Sequence, residues 1–168
     1  MNSQVLDQDK SLATLIHLSV FSKYLIPFGN FLFPLMLWLL KKQDPFVDSH
    51  GKNAVNFQIS IFLYTILLGV LGIAILILFG VSLSFDTLYV YNDHIRMDNF
   101  QEFIPLIVIS GIFGTLILSL IILEIYAVIS ASLKASEGEF YKYPLCISFI
   151  STEIQTGNVK TIDKNSRL

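Results

Sequence analysis

Asn53, Asn56, Ser60 and Tyr64 stand at i, i+3, i+7 and i+11 in a stretch rich in leucine and isoleucine. If the stretch is helical, that spacing puts all four on one face. An amide or hydroxyl among apolar side chains is costly without a partner, so the face is expected to point into a helix bundle or a wet cavity. In the plain reading Asn53 caps the helix, while Asn56 and Gln58 hold neighbouring helices together. In the functional reading the face binds a solute or gates its path. Gln58 is expected to point away from the other three.

Four further groups could do chemistry. His50 follows Asp48 by two residues, a spacing at which a base and its orienting carboxylate can be drawn, although a surface histidine near a helix start accounts for it as well. His17 has Ser19 and Ser22 nearby, and an intramembrane histidine serves either function or helix-to-helix hydrogen bonding. Glu124 is the only acid inside its apolar stretch. Placed deep, it calls for Lys23 or His17 as a partner, or for a proton. Placed at the membrane boundary, which the surplus length of its helix favours, it has no special role. The single cysteine, Cys146, can form no internal disulfide, and three scattered histidines offer no zinc-ligand spacing.

The elements that carry these side chains follow from composition. The chain has 168 residues, 54% apolar and 14% charged, with a mean hydropathy of +0.66. Soluble domains carry about 25% charged residues. No charge occurs from Ala54 to Phe85 or from Phe103 to Leu123. Each run is at least as long as the roughly 20 residues that cross a bilayer as helix. A soluble enzyme, a disulfide-built secreted domain and a nucleic-acid binder are excluded. The expected fold is an all-α integral membrane protein: two long transmembrane helices plus an N-terminal broken helical hairpin.

Three helical blocks are expected, at 11–40, 53–85 and 103–135, between a polar segment at 1–10 and a disordered tail at 151–168. Asp7 and Asp9 against one Lys10 reverse the charge of a secretory leader, so the first block is read as a retained anchor. Pro27, Gly29, Asn30 and Pro34 divide it into helices at about 12–26 and 31–40. The second block lacks proline and is long enough to tilt, break near Gly80 or project beyond the bilayer. The third has Pro105 in its tolerated first turn and Gly138 placed to end it. Gly69, Gly72, Ser110, Gly111 and Gly114 read as close-packing positions.

Lysine and arginine in short loops stay on the cytoplasmic side. Lys41, Lys42 and Lys52 lie between blocks one and two, and Lys134, Lys142, Lys160, Lys164 and Arg167 follow block three. The connection from Asp86 to Glu102 has only Arg96 against four acids. Both termini are therefore expected in the cytoplasm of a cell with the protein in its inner membrane, and the acidic connection outside. The first block then passes twice or is re-entrant. Beyond Gly138, Phe140, Tyr141, Tyr143 and Pro144 precede an alternation of Leu145, Ile147 and Phe149 with Cys146 and Ser148. That pattern predicts a short extended segment folded back on the helix ends, with Leu145, Ile147 and Phe149 covering apolar surface.

Four stretches, LATLIHLS at 12–19, IPFGNFLFPLMLWLLKK at 26–42, DPFVDSHGKNAVNFQIS at 44–60 and KASEGEFYKYPLCISFI at 134–150, carry a resemblance. In order and content they resemble the Tic-twenty-like family of small bacterial multi-pass membrane proteins, which is similar to a subunit of the chloroplast inner-envelope import translocon. The resemblance implies a multi-pass protein without a cofactor.

The leading functional expectation is a non-enzymatic membrane protein that packs with, or scaffolds, envelope or protein-translocation components. Its partners are then the lipid bilayer and other membrane proteins or further copies of itself, with no nucleic acid. The alternative is a small oligomeric channel or carrier for an ion or small solute, using Asn53, Asn56, Ser60, His17 and Glu124. An intramembrane enzyme needs a nucleophile and base, or a metal cluster, that the sequence does not present.

Overall fold

The computed structural model describes residues 7–82, 88–91, 94–97 and 104–151. It is helical: α1 (Asp7–Leu18), a 3-10 turn (Ser19–Tyr24), α2 (Gly29–Leu40), α3 (Pro45–Ser82) and α4 (Ile104–Glu137). Strands β1 (Leu88–Tyr91) and β2 (His94–Met97) pair antiparallel in the connection between α3 and α4, with Leu88 opposite Met97 and Tyr91 opposite His94. The expected tail at 152–168 lies outside the described residues.

α3 begins eight residues before the expected 53. The reason is local. Asp44 Oδ1 accepts from the backbone N–H groups of Phe46 and Val47 at 2.9 and 3.0 Å, and Pro45, which has no N–H to leave unsatisfied, takes the first helical position. The stretch from 45 to 52, left outside the expected block, is helix, and Asn53 lies inside that helix rather than capping it. Gly51 is needed for contact: a Cβ there would fall within the Trp38 indole of α2. At the same end of the fold, Gly138 adopts φ 83° and closes α4, its N–H bonding to Ala135 O at 3.0 Å while Glu139 N–H bonds to Lys134 O at 2.9 Å.

The first block folds as a broken hairpin, α1 with its 3-10 turn descending against α2. The reversal uses Phe28 in the left-handed region at φ 61°, and Gly29 packs so closely on Ser22 that a Cβ would sit 2.6 Å from Ser22 Oγ. At ~1.5 Å per residue, α2 with its 12 residues is about 18 Å long, short of the ~30 Å hydrocarbon core.

α1 packs against α4, α3 and α2, so the buried residues collect at one end, the base. Val20, Phe57, Ile61, Ala127, Val128, Ala131 and Tyr143 form the main cluster, and Ile16, Val47 and Ala54 a second. Above the base the two long helices run on with almost nothing buried: between 62 and 78 only Gly72 is, against Phe113, and between 104 and 123 no residue is. At about 57 and 51 Å, α3 and α4 exceed the bilayer core, and their leucines and isoleucines are exposed all round. A helix apolar on every side and not covered by protein is suited to a lipid surrounding. The fold is thus all-α, with two helices long and apolar enough to cross a membrane.

Candidate functional site

Three buried polar clusters occupy the base, and each ties an irregular piece of chain to the long helices. The first is the predicted face of α3. Its four side chains bind backbone. Beyond Gly138 the chain forms a strap, residues 139–150, that runs out along α3 and returns. Asn53 Nδ2 donates to Tyr141 O at 3.2 Å and Tyr64 Oη to Leu145 O at 3.0 Å. On the way back Ser60 Oγ accepts from Ile147 N–H at 2.9 Å, and Asn56 grips both backbone groups of Ile150, giving Nδ2 to its O at 2.8 Å and accepting its N–H on Oδ1 at 2.9 Å. The reversal places Leu145 at φ 53° just after Pro144. Non-helical backbone away from water must be satisfied, and an amide carries its donor and its acceptor on separate atoms, so that one side chain can bond both backbone groups of a residue. The spacing read as a possible solute face is a ladder for the strap.

The strap folds back as expected, but the buried side chain differs. Leu145, Ile147 and Phe149 are exposed, whereas Tyr143 is buried and stacks on Phe57 with centroids 4.1 Å apart. The alternation itself does not hold: Tyr141, Tyr143, Cys146 and Ile150 are the less exposed positions of the strap, because a turn at Pro144 and Leu145 and the hydrogen bonds from α3 set its orientation.

The second cluster centres on Glu124, 2% exposed. Lys23 Nζ of the 3-10 turn donates to its Oε2 at 2.5 Å, and Gln58 Nε2 to its Oε1 at 3.2 Å. Asn30 Nδ2 at the start of α2 donates to Gln58 Oε1 at 2.8 Å. Glu124 is therefore a paired buried charge, not the role-free boundary residue that helix length favoured. Gln58, expected to point away, does leave the Asn53 face, but toward a second buried partner set, and is 1% exposed. An apolar-walled cavity of about 200 Å³ adjoins this cluster between α3 and α4.

The third cluster joins α1, α3 and the strap. His17 Nε2 lies 2.8 Å from His50 Nδ1, and the Tyr143 hydroxyl 2.8 Å from His17 Nδ1. With both rings neutral, the order that leaves fewest groups unpaired runs Tyr143 to His17 to His50, each donating to the next. His50 Nε2 ends the chain without a partner among the described residues. His50 is 1% exposed, between Phe46 and Phe140, so the surface reading of it is corrected. Asp48 does not orient it: Asp48 accepts from Trp38 Nε1 at 2.9 Å and pairs with Lys52 at 2.6 Å. Burial holds the Tyr143 phenol well above its ordinary range, and burial also pushes up the Cys146 thiol three residues further along the strap.

Of the five candidate residues, the structure brings Asn53, Asn56 and Ser60 together, sets His17 behind the strap and places Glu124 under the hairpin tip. Gln58, His50, Asn30 and Tyr143 were missed as members. The visible signal for them was an amide or imidazole inside apolar sequence, which marks burial but names no partner.

From residue 8 to residue 150 the chain matches the model of the MamF/MmsF family, described as the magnetosome magnetite crystal formation protein family. The chain belongs to that family. The match overturns the Tic-twenty-like assignment, and with it the support for a translocation partner. The MamF/MmsF region begins in the first turn of α1 and ends at Ile150, the residue that Asn56 grips, so it takes in the whole base and all three polar clusters. Among curated proteins and solved structures nothing matches the chain.

Proposed function

We infer that this protein is a non-enzymatic component of a magnetosome membrane, acting where magnetite crystals form by packing with further copies of itself or with other membrane proteins. Membership of the MamF/MmsF family supports the setting. The observation that carries the mode of action is that the candidate polar face is used up internally: Asn53, Asn56 and Ser60 hold the strap, and Glu124 is held by Lys23 and Gln58. In the channel or carrier alternative that face would line a lumen. What remains outward along α3 and α4 is apolar surface, suited to lipid and to other membrane helices.

The base carries Lys41, Lys42 and Lys134, and the far connection carries Asp86, Asp93, Asp98 and Glu102 against Arg96. The positive-inside rule then sets the base and both termini toward the cytoplasm and the acidic connection toward the compartment interior. A tagged chain in a magnetosome-forming cell should co-purify with crystal-bearing membranes, and its deletion should alter crystal size or number. In a Cys146→Ser background, cysteines at Gln43 and Asn92 should label from opposite sides with an impermeant maleimide. Labelling of both from one side, or specific ion flux through liposomes holding the purified protein, would defeat this reading.

A further inference from the structure

The strap does not lie flush on α3. Between them is a cavity of about 270 Å³, lined by Ser49 and Asn53 on one wall and by strap residues that include Tyr141, Lys142, Cys146 and Ser148. Among the described residues its lining includes no carboxylate, and the one formal charge there is the Lys142 ammonium. Lys142 makes no ion pair among the described residues, and Glu139, three residues before it, pairs with Lys134 at 2.7 Å. Deeper in the wall, Ser49 is 7% exposed and its Oγ has no hydrogen-bond partner among the described residues. A lone buried hydroxyl costs free energy unless something fills the space beside it. Immediately outside, Leu145, Ile147 and Phe149 stand exposed on the strap as an apolar shelf.

An unpaired cation, hydroxyls and no acid select an anion with several acceptor oxygens, and the adjoining shelf selects a molecule with apolar chains. We propose that this cavity binds the phosphate of a glycerophospholipid, with Lys142 and the hydroxyls of Ser49 and Ser148 as the phosphate's donors and Leu145, Ile147 and Phe149 against its acyl chains. The site is independent of the function proposed above. A bound lipid would brace the strap against α3 at Ser49 and Asn53, which precede Asn56 and Ser60 on the same face of the helix.

The test is native mass spectrometry and thermal melting of the purified full chain in detergent, with phosphatidylglycerol, diacylglycerol with the same chains, or inorganic phosphate added. Phosphatidylglycerol should remain bound and raise the melting temperature, while the other two do neither. Lys142→Gln should bind it about tenfold more weakly, the loss of one charge-assisted contact, and Lys142→Arg should retain binding. Lys42→Gln, an exposed lysine outside the cavity lining, should bind as the parent does. Without lipid, Lys142→Gln should melt with the parent, since it breaks no internal contact. Equal binding of diacylglycerol would mean that the chains alone are recognised, equal binding of inorganic phosphate that the ligand is not a lipid, and unchanged affinity in Lys142→Gln that the cavity is not the site. Each of these overturns the proposal.

Discussion

The Lys23 ammonium lies 2.5 Å from the Glu124 carboxylate, so residues 101 apart in sequence lock the tip of the N-terminal hairpin to the flank of α4. Glu124 is nearly inaccessible, whereas a quarter of the Lys23 side chain is exposed. Removing the lysine alone strands a buried carboxylate, while replacing both partners strands nothing. Lys23→Met should cost about 2 to 3 kcal/mol, less than a fully buried pair because Lys23 is partly solvated. Lys23→Met with Glu124→Gln should recover most of that loss. Chemical denaturation in one detergent measures both, and a double variant no better than the single would show that the two residues do not act as a pair.

Asn56 and Gln58 are both buried but serve different partners, the strap and Glu124 respectively. Asn56→Leu and Gln58→Leu should each lose roughly 0.6 to 2 kcal/mol. Only Asn56→Leu should free the strap. The reporter is Cys146, half-buried with its thiol pushed up by burial, so that it alkylates slowly near neutral pH. Faster labelling in Asn56→Leu and parental labelling in Gln58→Leu is the expected pair of results; equal acceleration in both would contradict the separation of the clusters.

Burial raises the Tyr143 phenol above its unfolded value, so the folded chain holds that proton more tightly. Between the unfolded value, roughly 10, and the folded one, the folded state binds more protons, and stability falls as pH rises. The contribution is complete below about pH 10. Tyr143→Phe should be about 1 kcal/mol less stable than the parent at pH 8, having lost the bond to His17, and the gap should close above roughly pH 10. Melting curves of the two proteins from pH 8 to 11 decide it; a constant gap would refute the linkage.

Gly51 is pressed against the Trp38 indole. Gly51→Ala gains helix propensity of about 1 kcal/mol and would win at an open site. Here the added methyl must move a part-buried indole that also donates to Asp48, which costs about 1 to 3 kcal/mol by overpacking. The net effect should be a lower melting temperature, restored in part by Trp38→Phe. A stabilised Gly51→Ala would show that α2 shifts freely against α3.

What the sequence determined by itself was whatever depends on local composition and period. Two charge-free runs require two membrane-length helices, Pro27 to Asn30 require a broken first block, Gly138 ends α4, and the spacing of Asn53, Asn56, Ser60 and Tyr64 puts them on one face. The Asp44-Pro45 start of α3 is also local cap chemistry, eight residues before the expected start at Asn53. Which groups meet was decided only by the tertiary structure. Lys23 with Glu124, His17 with His50 and Tyr143, and Asn56 with Ile150 are 101, 33, 126 and 94 residues apart. An isolated buried amide or charge states that a partner must exist, since leaving it unpaired is costly, but every partner of suitable chemistry satisfies that demand equally until packing brings one within hydrogen-bond reach.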